Sequence, residues 1–334
     1  MMNKVHVLLL SMVLASTSSA IFARNAVDVL AQDYAFPNKI NGFPEKLSDF
    51  KGLEIKKFKT SDQVNIAYWE AGKGMPLVFI PGWSANGAEF INIIYLLSKH
   101  YHVYVIDPRN QGLSDQVDYG SRISRLSMDL KEFLDHNKLE KANLIGWSMG
   151  ASIIWGYIDL FGTDKINKLA FIDEPVSIYA HADWTEERRL NLGAMTTSPE
   201  RMIAAFTKNE PTNQLVVDMN VFVRYQVNDS LYFQNSEKFA QTVIQNSPEE
   251  MSPVLFDHAT NNWEDVIKYK INVPTAIFTG IYSNNVQSQK WMNSMIKHSK
   301  LFIYDDEHAD HFLAFKDPIK FSKDLSNFIE AKED

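Results

Sequence analysis

Five residues, Gly146-Trp147-Ser148-Met149-Gly150, constrain this chain more than any other stretch. Before them comes the apolar run Ala142-Asn143-Leu144-Ile145, and from Met149 to Leu160 the chain is apolar nearly all round. A short apolar run closed by a turn suits a strand buried on both faces, and a helix with no polar face must itself be buried. A serine between the two sits on a sharp strand-to-helix turn with strained backbone. Side chains at the flanking positions would collide with neighbouring backbone, which accounts for both glycines. The helix that follows points its first N–H groups at the serine, where they favour negative charge.

The same strand-then-helix rhythm runs through most of the chain. Leu53–Phe58 and Val64–Trp69 read as opening strands. Pro76–Ile80, Val103–Ile106, Ala142–Ile145, Lys168–Ile172, Val273–Phe278 and Leu301–Tyr304 read as buried ones. Helical spacing marks Phe90–Leu97, Ile123–Leu134, Met149–Leu160 and Pro318–Ile329. Strands alternating with helices imply right-handed crossovers and a doubly wound, mostly parallel sheet of the α/β class. The rhythm breaks over residues 175–270, a helical stretch rich in Met, Phe and Trp that includes Trp184, Met195, Met202, Phe206, Met219, Phe222, Tyr225, Tyr232 and Phe233. This reads as a helical cap inserted into one domain made of residues 52–174 and 271–334. Such an insertion lies beyond the C-terminal ends of the strands, where ligands bind in open α/β sheets. Residues 21–51, with Pro37, Gly42 and Pro44, read as an extended N-terminal arm.

Composition narrows the functional classes. With 45% hydrophobic and 22% charged residues the chain can build a large core. A formal net charge of −8 and scattered Lys and Arg give no footprint for nucleic acid. There is no cysteine, so disulfides, thiol catalysis and Cys-bound zinc are excluded. Residues 1–20 have the layout of a secretory signal peptide. Lys4 precedes the apolar run Val5–Ala15, which is short for a bilayer span, and Ser18-Ser19-Ala20 offers small residues for cleavage. The expected location is periplasmic or secreted, with no stable membrane anchor after cleavage.

Three segments carry a resemblance to a known family. The first is Gly146–Gly150. The second is Asp107-Pro108-Arg109-Asn110-Gln111-Gly112-Leu113-Ser114-Asp115, with Asn110 in place of a glycine. The third is His308-Ala309-Asp310-His311-Phe312 ahead of Pro318, with Asp310 in place of a glycine. Over residues 52–331 the chain resembles the α/β-hydrolase superfamily of serine esterases, lipases and lactonases. The resemblance implies the α/β-hydrolase fold, Ser148 as nucleophile, His311 as general base and no cofactor. It also implies an oxyanion hole from the N–H groups of Met149 and of Trp83, in the turn Pro81-Gly82-Trp83.

The acid departs from the pattern. The strand ending at Thr279-Gly280 is followed by Ile281-Tyr282-Ser283-Asn284-Asn285, without a carboxylate. Some lipases of the superfamily place the acid one strand earlier, which here is Asp173-Glu174. Asp173 is the first choice, with Glu174 and Asn284 as alternatives. Two other classes remain open: a metal-assisted hydrolase using the ligand-dense segment Asp305–His311, and a non-catalytic binding protein on the same fold. The expected partner is a small apolar ester or lactone, with acyl-homoserine lactones among the options. N-terminal sequencing of protein recovered from its native host should read from near Ile21 or Arg24; soluble, active protein starting at Met1 would contradict the cleavage.

Overall fold

The computed structural model describes residues 24–37, 40–194, 230–244, 246 and 248–332. Residues 1–20, expected as a signal peptide, lie outside them, as do Met195, Met202, Phe206, Met219, Phe222 and Tyr225.

Among the described residues nine strands form one sheet: β1 Arg24–Asn25, β2 Glu54–Lys59, β3 Asn65–Gly72, β4 Pro76–Ile80, β5 His102–Ile106, β6 Ala142–Trp147, β7 Ile166–Ile172, β8 Thr275–Gly280 and β9 Ser299–Tyr304. Their order is β1-β2-β3-β5-β4-β6-β7-β8-β9. The pairs β1–β2, β2–β3 and β3–β5 are antiparallel. From β5 to β9 every pair is parallel. In β6 and β8 every residue is buried, as central parallel strands covered by helices on both sides require. Helices Ile123–His136 and Met149–Phe161 cover one face; Ile91–Leu97 and Pro318–Glu330 cover the other.

Strands expected from apolar runs recur within a few residues of their observed bounds. The Val286–Met295 helix was not expected, because the face it buries is largely polar, with Ser288 and Gln289 beside Met292. The expectation of an extended arm needs correction. Arg24 and Asn25 pair with β2, residues Ala26–Leu30 are helical, and the aromatic side chains turn inward. Tyr34 packs tilted and Phe36 edge-on against Phe239, with ring centroids 4.9 and 5.0 Å apart. These aromatic residues of the arm are therefore core, because each buries a large apolar surface once a partner faces it.

Among the described residues, 175–270 contain helices Glu186–Leu192, Leu231–Val243, Pro248–Met251, Pro253–Thr260 and Glu264–Tyr269. The last part of this stretch is tied to the sheet edge by hydrogen bonds. The Trp83 indole N–H donates to the Met251 carbonyl at 3.0 Å, the Asn110 amide to the Glu250 carbonyl at 3.1 Å, and the Ile123 N–H to the Asp257 carboxylate at 2.8 Å. Phe239 joins the arm to the Leu231–Val243 helix and is fully buried. Phe239→Ala should destabilise the protein by about 3–5 kcal/mol, read as a lowered urea midpoint at unchanged slope; a loss under about 1 kcal/mol would show that the arm is not part of this core.

Candidate active site

The strand ends position every candidate residue. Ser148 follows β6 directly, with φ 52° and ψ −132°, a backbone conformation that residues bearing a Cβ rarely adopt. Close packing leaves it no alternative. A Cβ on Gly150 would lie 2.0 Å from the Ile80 carbonyl oxygen, and one on Gly146 would lie 2.5 Å from the Ala151 nitrogen. The two glycines are thus required by the approach of the turn to β4 and to the helix it starts.

Asp173 stands one residue beyond β7, at φ 53°. The Ser148 N–H donates to the Ile172 carbonyl at 3.0 Å, so the strands that end at Ser148 and Asp173 leave the sheet side by side. His311 comes from the loop after β9 and must cross the end of β8 to meet them. Gly280 allows this crossing, since a Cβ there would sit 2.0 Å from the Ala309 carbonyl oxygen. The Tyr282 N–H then donates to that same carbonyl at 3.0 Å and fixes the loop. The Trp147 indole holds the His311 carbonyl at 2.9 Å.

The result is a continuous hydrogen-bonded path. His311 Nδ1 lies 2.7 Å from Asp173 Oδ2, and His311 Nε2 lies 3.1 Å from Ser148 Oγ. A carboxylate can only accept, so Nδ1 carries the proton and Nε2 is free to accept from the serine hydroxyl. Asp173 is fully buried and His311 nearly so, while Ser148 is half-buried. Three further side chains serve the acid. Thr279 Oγ1 donates to Asp173 Oδ1 at 2.5 Å, Ser283 Oγ to Oδ2 at 2.7 Å, and the Asn285 amide to the Asp173 carbonyl at 2.9 Å and to Oδ2 at 3.3 Å.

Of the three acid candidates, Asp173 alone is brought to His311. The Glu174 side chain points away, with its Oε1 3.2 Å from Ser152 Oγ and 3.2 Å from His258 Nε2. Asn284 is exposed, and its neighbour Asn285 is the amide that reaches the acid. The metal alternative fails for a similar reason: the residues of Asp305–His311 do not converge. Asp306 pairs with Lys320 at 3.1 Å, Asp310 pairs with Lys316, and His311 faces Asp173. Among the described residues no three His, Asp or Glu side chains gather as a metal site.

The turn after β4 lies against the serine. A Cβ on Gly82 would be 2.9 Å from Ser148 Cβ, so the turn packs directly on the serine, and the Trp83 N–H is the next along the chain. Neither that N–H nor the Met149 N–H has a hydrogen-bond acceptor among the described residues. The Asp107–Asp115 turn braces the same loop. Asp107 accepts from Gly87 N–H at 2.7 Å, Leu113 N–H at 2.8 Å and the Trp69 indole at 3.3 Å. Burial nonetheless pushes its carboxyl up to about 6. Asn110 occupies the usual glycine position at φ 66°, in the left-handed region that asparagine tolerates.

Sequence reasoning missed Thr279 and Asn285. The signal was present: hydroxyl and amide residues clustered where an acid was expected.

A family model described as alpha/beta hydrolase fold matches residues 75–316. A pimeloyl-[acyl-carrier protein] methyl ester esterase from Vibrio cholerae is 26% identical over 140 residues, covering 42% of this chain and 51% of the relative. The chain spans between 37% and 58% of the length of the curated relatives it matches. Among solved structures, a bromoperoxidase from Bacillus anthracis superposes with TM-score 0.67 at 23% identity, over 80% of this chain and 96% of that one. Est816, described as an N-acyl homoserine lactone degrading enzyme, superposes with TM-score 0.63 at 22% identity, over 81% and 99%. With the family model covering most of the chain, and the sheet order and strand-end turns in agreement, the chain belongs to the alpha/beta hydrolase fold family.

Proposed function

We propose that this protein is a serine hydrolase that cleaves a carboxylic ester or lactone through an acyl-enzyme on Ser148. One observation carries the reading: the path from Ser148 Oγ to His311 Nε2 at 3.1 Å and from His311 Nδ1 to the buried Asp173 carboxylate at 2.7 Å. A serine hydroxyl is a weak nucleophile until a base takes its proton, and His311 is within reach to do so. As Oγ bonds to the substrate carbonyl carbon, the proton passes to Nε2 and the imidazolium faces Asp173. The developing oxyanion is met by the N–H groups of Met149 and Trp83, at the start of a helix whose dipole favours negative charge. His311 then returns the proton to the leaving alkoxide, and a water molecule repeats the sequence on the acyl-enzyme.

The substrate class rests on composition and on relatives. The Met- and aromatic-rich stretch at 175–270 suits an apolar acyl or aryl group. The Vibrio cholerae esterase and Est816 act, by their descriptions, on a methyl ester and on N-acyl homoserine lactones. An exported enzyme meets lactones of that kind outside the cytoplasm, so medium- and long-chain acyl-homoserine lactones belong in the first substrate panel.

A fluorophosphonate probe should label the wild-type protein and leave Ser148→Ala unlabelled. On p-nitrophenyl esters of rising chain length, run beside lactones, the alanine variant should keep its fold by circular dichroism and lose at least about a thousandfold in turnover. Retention of most of the activity by Ser148→Ala would rule out the serine mechanism.

A further inference from the structure

Behind His311 lies an ion pair that takes no part in the reaction path. Asp310, immediately before the histidine, and Lys316, five residues after it, form a salt bridge with their side chains 1% and 0% exposed. Two opposite charges are rarely buried so completely next to a titrating group. Replacing such a pair with apolar residues is often neutral for stability, so its presence speaks for geometry more than for stability.

The pair holds the histidine loop from both ends. The second Asp310 oxygen, Oδ1, accepts the Phe312 N–H at 2.8 Å, and the Asp310 carbonyl accepts the Leu313 N–H at 3.1 Å. Lys316 carries the constraint outward. Its carbonyl accepts the Ser230 hydroxyl at 2.7 Å, and Ser230 caps the Leu231–Val243 helix. Its ammonium lies over the Phe233 ring of that helix, 5.6 Å from the centroid, and Phe233 packs on Phe312 with centroids 5.1 Å apart. The loop that presents His311 is thereby clamped to the first described helix after residue 229.

We propose that Asp310 and Lys316 are positioning residues for His311: a charge-neutral brace that locks its loop against the Leu231–Val243 helix without leaving net charge beside the imidazole. This rests on the reading of His311 as general base. Neutrality matters beside an imidazole. A nearby lone unit charge, at an effective dielectric of about 20, shifts a histidine by on the order of one to two pK units. Among the described residues, Asp173 from the end of β7 contacts His311, Asp310 precedes it and pairs with Lys316 on the same loop, and half-buried His308 lies three residues upstream. Burial raises the Asp310 carboxyl, while Lys316, the Phe312 N–H and His311 act in the opposite direction.

The test is NMR titration of His311 in histidine-labelled protein, with steady-state kinetics on a p-nitrophenyl ester. Lys316→Met leaves a carboxylate and should raise the histidine's titration midpoint by about half to one unit. Asp310→Asn leaves an ammonium and should lower it by a similar amount. Opposite shifts cannot come from loosened packing. Asp310→Asn/Lys316→Met should return the midpoint to within about 0.3 unit of wild type while kcat falls about tenfold at nearly constant KM. Where a single variant fails to fold, the double variant decides: a folded double variant with wild-type kcat overturns the brace. Single-variant shifts of the same sign, or of under about 0.2 unit, overturn it too. The NMR readout needs no turnover, so an inactive wild-type protein would defeat the hydrolase reading and leave this test standing.

Discussion

A carboxylate without access to water must find its donors inside the protein, and the sheet edge is arranged around that need. Asp173 receives hydrogen bonds from Thr279, Ser283, Asn285 and His311. Removing donors would leave a buried charge uncompensated, at a cost of several kcal/mol. The dependence runs both ways. The donors hold the carboxylate in place, and the carboxylate accepting from Nδ1 fixes the histidine tautomer that leaves Nε2 free toward Ser148. The loop after β8, where the superfamily usually keeps its acid, has become the donor set for an acid one strand away.

The elements differ in how far the sequence specifies them. Gly146, Ser148 and Gly150 were legible because their constraint is local: a strand, a turn and a helix joined within five residues. Asp173 was legible only as one of three candidates. Whether Asp173 or Glu174 faces the histidine depends on the left-handed backbone at residue 173, which no side-chain pattern announces. Asn284 and Asn285 differ by one position in a loop, and only the fold decides that the second is buried. Tyr34 and Phe36 reach the core through a partner, Phe239, some two hundred positions away. Long-range packing of this kind leaves no periodic trace in a polar segment.

Departures from the usual glycines follow one logic. Asn110 takes a left-handed conformation and uses its side chain to accept the Val117 N–H and to reach the Glu250 carbonyl. Asp310 takes a position beside the histidine and is neutralised by Lys316. In each case a polar side chain anchors a loop that backbone freedom would otherwise leave loose. Both anchors lead to residues between 230 and 258, so the helical stretch and the sheet edge that carries Ser148 and His311 are joined through these exceptions.

The most direct measurement is kcat/KM for Asp173→Asn, a substitution that preserves shape while removing charge and permitting the wrong histidine tautomer. If Asp173 orients His311, the loss is about a thousandfold or more, whereas Asn284→Ala and Glu174→Gln stay within about tenfold of wild type. An Asp173→Asn variant within tenfold of wild type, with Asn284→Ala crippled, would contradict the account and move the orienting role to the loop after β8.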